Sequence, residues 1–98
     1  MRPSIHFARR MFGKRPVTGV EVGVESGKNA RIMIDEWYEL SLLYLVEINK
    51  ECEQPIREML EGHESRYILL IGDSAEMAKT LPNESLDFVY LDDDHGYD

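Results

Sequence analysis

Four short apolar runs alternate with segments whose apolar residues fall at helical intervals, and that alternation restricts the chain to few architectures. Val17 to Val24 is rich in β-branched residues, and Leu42 to Ile48, Tyr67 to Ile71 and Leu86 to Leu91 are the other three runs. Each is too short for a helix and suits a strand. Between them Ala30, Met33, Ile34 and Trp37 recur at helical spacing, as do Cys52, Ile56, Met59 and Leu60, and then Ala75, Ala78 and Leu81. Pro55 is tolerable only near the start of the second of these helices, and Pro82 stops the third. Strand, helix, strand, helix, strand, helix, strand predicts an α/β domain with a parallel sheet and right-handed crossovers. The continuous apolar stretches LLYLV and DFVYL suit burial on both faces of such a sheet. Ligands of these sheets sit beyond the carboxyl ends of the strands, where strand order reverses. The residues directly after each strand are therefore the informative ones.

Length and charge narrow the partners. Ninety-eight residues make at most one domain. A chain of this size buries only roughly 60–65% of its unfolded surface, so it folds with little margin. Residues 1–16 carry five bases (Arg2, Arg9, Arg10, Lys14, Arg15) and no acid, and are expected to form a basic, helical N-terminal leader. The remaining 82 residues carry six bases against all 19 acids, a net −13 within a whole-chain charge of −8. A body of that sign repels phosphate backbones, which argues against nucleic acid as its substrate. The leader can touch an anionic partner, serve as a solvated helix, or be a short transit peptide. No apolar run approaches the ~20 residues that span a bilayer, and no secretory signal pattern opens the chain. Cys52 is the only cysteine, so no internal disulfide forms, which fits a reducing cytoplasm.

The four strand ends each have an ordinary reading. In EVGVESG, Gly23 and Gly27 allow a tight turn and close approach of a ligand, or simply a strand-to-helix turn with Ser26 as N-cap. A dinucleotide fingerprint would need a glycine where Glu25 stands, and a carboxylate is wrong for a pyrophosphate but tolerable to a ligand with a positive end. In LVEIN, Glu47 lies 24 residues after Gly23, about where an acid holds a ribose diol, or it is a solvated strand terminus. In IGDSAEM, Asp73 reads as an N-cap with Glu76 completing a capping box, a role compatible with facing a base. In YLDDDHGYD, Asp92 and Asp94 share a face of an extended chain and could hold a divalent metal, with a solvated acidic loop as the alternative.

Taken together, GVEVGVESGKNA, LVEIN, IGDSAEMAKTLP and LDFVYLDDDHGYD resemble the successive motifs of class I S-adenosylmethionine-dependent methyltransferases. The nearest pattern is the small-molecule branch with Asp-x-Asp-His-x-Tyr after the fourth strand. The resemblance spans about residues 17–98 and implies a Rossmann-like three-layer sandwich with strand order 3-2-1-4. That is the cofactor-binding half of a fold whose full sheet is seven-stranded, so the chain reads as truncated relative to the family. It implies that Glu21, Gly23 and Gly27 surround the methionine part of the cofactor, that Glu47 holds the ribose hydroxyls, and that Asp73 and Ser74 border the adenine. Asp92 would lie near the amino end and the transferred methyl, His95 is a candidate base, and Asp92 with Asp94 is a candidate metal pair.

The chemistry agrees with the resemblance, because S-adenosylmethionine carries a sulfonium and an ammonium that suit an acid-lined pocket. The expected activity is methyl transfer to a small-molecule acceptor. The alternatives are a non-catalytic remnant or interaction module of the same fold, and a nucleotide-dependent oxidoreductase. Strand order 3-2-1-4 would also leave Leu86 to Leu91 as an edge without proline or lysine, a template for self-association.

Overall fold

The chain is described by a computed structural model over residues 2–81 and 86–91. Its elements run α1 (Pro3–Phe12), β1 (Val17–Val22), α2 (Lys28–Glu36), β2 (Leu40–Glu47), a 3-10 turn (Lys50–Cys52) leading into α3 (Glu53–Met59), a second 3-10 turn (Glu64–Arg66), β3 (Tyr67–Ile71), α4 (Ser74–Ala78) and β4 (Phe88–Leu91). The four strands form one parallel sheet in the order β3-β2-β1-β4. The protein is thus an α/β domain of Rossmann-like topology, with the strand order that the resemblance implies.

Register assigns the two faces of the sheet. Gly19 lies between Leu43 and Phe88, and Glu21 between Leu45 and Tyr90. Because side chains alternate along a strand, Leu43, Leu45, Tyr67, Leu69, Phe88 and Tyr90 share one face. They join Ile5 of α1, Ala30, Met33 and Ile34 of α2, Ile56 of α3, Trp37 and Leu60 in a single apolar cluster. That face is covered by α1, α2 and α3. The chain reverses direction across the sheet between β3 and β4, so a right-handed crossover carries α4 to the other face, where it packs against β2. There Val20 and Val46 are buried, whereas Ile68, Val89 and Leu91 stand largely exposed.

Two local devices fix β4. Gly19 has no side chain because the Phe88 ring lies over it: a Cβ there would come within 2.2 Å of the ring. The same ring stacks on Trp37 at 5.2 Å between centroids. One residue earlier, Asp87 donates its N–H to the Thr18 carbonyl (2.7 Å) and accepts the Thr18 N–H on its carboxylate (2.8 Å). Arg15 donates to the other carboxylate oxygen at 2.8 Å. The Thr18 N–H, and after it the Arg15 guanidinium, hold the Asp87 carboxyl below the usual carboxylate range.

Several element ends differ from expectation for identifiable reasons. β1 stops at Val22 because Gly23 turns left-handed with φ 80°. β2 begins at Leu40, with Ser41 bulged out of the pairing with β1 and its hydroxyl donating to the Val17 carbonyl. The bulge breaks the apolar pattern that would have revealed the earlier start. β4 begins at Phe88 rather than Leu86. α4 ends at Ala78, and Lys79, Thr80 and Leu81 close it with tighter three-residue bonds. The basic leader is helical over Pro3–Phe12, with Pro3 in its first turn. No helix among the described residues is long and apolar enough to cross a membrane.

Candidate functional site

The turn from β1 into α2 is an unusual piece of backbone. Gly23, Glu25 and Gly27 all have positive φ, at 80°, 58° and 82°. Glycine adopts this freely; for Glu25 the left-handed conformation costs on the order of 1–2 kcal/mol. The Glu25 N–H is held by a 2.7 Å hydrogen bond to Glu47 Oε1. Gly27, not Ser26, occupies the N-cap position of α2, and no side chain caps the helix there.

Glu47 ends β2 and is only 4% exposed. Its second oxygen accepts the Asn49 N–H at 3.0 Å, while its carbonyl accepts the Gly72 N–H at 2.8 Å. One side chain thus ties the loop after β1 to the loop after β2, and its backbone ties β2 to the end of β3. Glu47 is therefore not a solvated strand terminus. Each carboxylate oxygen retains acceptor capacity beyond the one backbone bond it makes.

These loops wall a cleft of about 660 Å3 lined by Gly23, Glu25, Ser26, Glu47, Ile48, Asn49, Glu51, Cys52 and Pro55. A smaller hollow of about 140 Å3 continues between Val22, Gly23, Val46, Ile48 and Gly72. Together they run along the carboxyl ends of β1, β2 and β3. Among the described residues three carboxylates (Glu25, Glu47, Glu51) border the cleft, and no lysine or arginine lines it. Burial, then the charges of Glu47, Glu25 and Glu51, push the Cys52 thiol above its ordinary value. It is thereby kept as a thiol rather than a nucleophilic thiolate. Ile48 is 70% exposed beside this acidic wall, a flat apolar surface at the join of cleft and hollow.

The structure brings some of the sequence-predicted residues together. Gly23 and Glu47 meet at the cleft. Glu21 sits apart from it: fully buried within β1, in register with Leu45 and Tyr90 on the helix-covered face. Gly27 faces α3, where an added Cβ would make only an ordinary contact, 3.4 Å from Ile56 Cα, so its left-handed φ of 82° rather than its size calls for glycine. Asp73, next to Gly72 of the hollow, is exposed and caps α4 by accepting from the Ala75 and Glu76 N–H groups. Ser74 opens α4, and its side chain lies outside the described structure, as do Asp92, Asp94 and His95 entirely. Among the described residues no group of three or more His, Cys, Asp or Glu is placed to hold a metal.

Sequence reasoning missed Ile48, Asn49, Glu51, Cys52 and Pro55 as cleft walls. The available signal was their position directly after a strand-end acid, combined with an apolar residue that the core does not need. Neither a protein-family model nor a curated protein matches the chain.

Proposed function

We propose that this chain is the cofactor-binding portion of a class I S-adenosylmethionine-dependent methyltransferase acting on a small-molecule acceptor in the cytoplasm. The observation that carries the reading is Glu47: a nearly buried carboxylate at the end of β2, with acceptor capacity left, opening on a cleft at the carboxyl ends of the strands. A carboxylate held by two backbone N–H groups is preorganised to accept a vicinal diol. Gly23 leaves room for close approach, and Ile48 offers an apolar face beside the diol position. The acids around the cleft favour a ligand bearing a sulfonium and an ammonium over one bearing a pyrophosphate. The bound cofactor would supply an electrophilic methyl group; this chain's contribution would be to hold the donor in line for attack. Asp92 is proposed near the donor's amino end and His95 as a base toward the acceptor. A divalent metal at Asp92 and Asp94 belongs to the same proposal. Self-association through β4 belongs to it too, since β4 is an edge of the sheet among the described residues and its Val89 and Leu91 are 59% and 69% exposed.

Calorimetric titration with S-adenosylhomocysteine, run beside NAD, tests the reading. Binding of S-adenosylhomocysteine that is lost in Glu47→Ala, with weaker or absent NAD binding, supports it. Preferential binding of NAD would replace it with the oxidoreductase reading, and no heat at millimolar S-adenosylhomocysteine would overturn it.

A further inference from the structure

The chain has seven arginines, and five of them are engaged. Arg2 lies over the Tyr90 ring, Arg15 pairs with Asp87, Arg31 with Asp35, and Arg57 with Glu53, while Arg66 donates to the Leu40 carbonyl. Arg9 and Arg10 alone have no such partner among the described residues, and they are adjacent on α1. Both line a groove of about 500 Å3 with His6, Gly13, Lys14 and Glu39. His6, Arg9 and Arg10 fall at helical spacing on one side of α1, away from the Ile5, Ala8 and Phe12 side that meets the core, and Gly13 and Lys14, just past the helix end, line the same groove. Gly13 and Glu39 precede β1 and β2, so the groove lies at the amino ends of the strands, opposite the acidic cleft. Arg9, Arg10 and Lys14 against Glu39 leave a local charge of about +2 in a chain whose net charge is −8. Guanidiniums in a concave surface, without a partner among the described residues, are matched by phosphate oxygens, which they bind bidentately.

We propose that this groove is a binding site for a phosphate-bearing ligand, held by Arg9 and Arg10 with Lys14 adding charge. The site stands independently of the methyltransferase reading. The phosphate can belong to a free polyphosphate or to a lipid headgroup; exposed Phe7 and Met11 lie on the same helix and would contact acyl chains in the second case.

Titration of the 98-residue chain with pyrophosphate at low ionic strength, together with sedimentation on vesicles of phosphatidylglycerol and phosphatidylcholine, tests it. Pyrophosphate or vesicle binding should weaken by at least about tenfold in Arg9→Gln/Arg10→Gln, roughly the loss of one strong charged contact. It should stay unchanged in Lys50→Gln/Lys79→Gln, which alters net charge equally. Far-UV circular dichroism should show both variants folded, since neither arginine holds the fold. Binding of pyrophosphate without vesicles assigns a soluble ligand, and binding to phosphatidylglycerol vesicles but not to phosphatidylcholine alone assigns a lipid. Absence of both, or an equal loss in the two double variants, overturns the proposal.

Discussion

Removing the Glu47 carboxylate should cost far more stability than removing a surface glutamate. Glu47→Ala deletes the acceptor of two backbone N–H groups, Glu25 at 2.7 Å and Asn49 at 3.0 Å. A hydrogen bond to a charged group contributes about 1.5–3 kcal/mol. The cleft admits water to the freed donors, and the buried charge no longer has to be desolvated, so the lower end applies to each and the sum is about 3 kcal/mol. For a domain of this size that corresponds to a fall in Tm of roughly 12–24 °C. Glu47→Gln keeps one acceptor oxygen but turns an amide NH2 toward the other N–H, so it should lose about half as much. Urea unfolding of the three proteins, with the m-value unchanged, gives the comparison. If both variants fall within about 0.5 kcal/mol of the parent, the ordinary range for surface substitutions, then Glu47 does not clamp the two loops and the argument for a preformed cleft fails.

Asp87 should make stability acid-sensitive. Its folded carboxyl lies below its unfolded value, so its stabilisation is complete above the ordinary carboxylate range near pH 4 and declines as pH falls through the lowered folded value; Asp87→Asn should flatten that part of a stability–pH curve. Gly19→Ala should cost about 1–3 kcal/mol by displacing the Phe88 ring from Trp37. Chemical denaturation should find the loss much smaller when Phe88 is already alanine, because the two residues share one contact. Cys52 should react with iodoacetamide at pH 8 more slowly than a free thiol, since its thiolate is disfavoured, and on the proposed cofactor reading S-adenosylhomocysteine should slow it further; mass spectrometry of the alkylated fraction measures both.

The sheet was legible in the sequence because apolar runs of strand length alternated with helically spaced residues, and Tyr67–Ile71 emerges with the predicted ends. Strand order came through the resemblance, since periodicity alone does not order parallel strands. Element ends were less legible where a single polar residue concealed continuity, as with Ser41 in its bulge. Of the cleft's lining, Gly23 and Glu47 were visible because both stand at strand ends, where ligands of such sheets gather. The left-handed backbone at Glu25 could not, because nothing in a glutamate announces φ 58°. That conformation comes from the Glu47 carboxylate across the sheet, a contact 22 residues away in sequence. The burial of Glu21 was equally hidden: it follows from α1, α2 and α3 covering one face, a tertiary fact.

The Asp87–Thr18 clasp also bears on how the chain folds. Strands β1, β2 and β3 pair with sequence neighbours, each closing a loop of two dozen residues or so, as between Leu43 and Tyr67. The clasp joins residues 69 apart. Closing that longer loop costs about 1 kcal/mol more in chain entropy, and it gains only a four-residue strand. Folding should therefore proceed through the β1–β2–β3 unit, with β4 docking late. Contacts made after the transition state slow escape from the native state without hastening arrival. By that logic Asp87 and Phe88 govern how long the folded chain persists, while Leu43 and Leu45, at the centre of the first unit, govern how fast it forms.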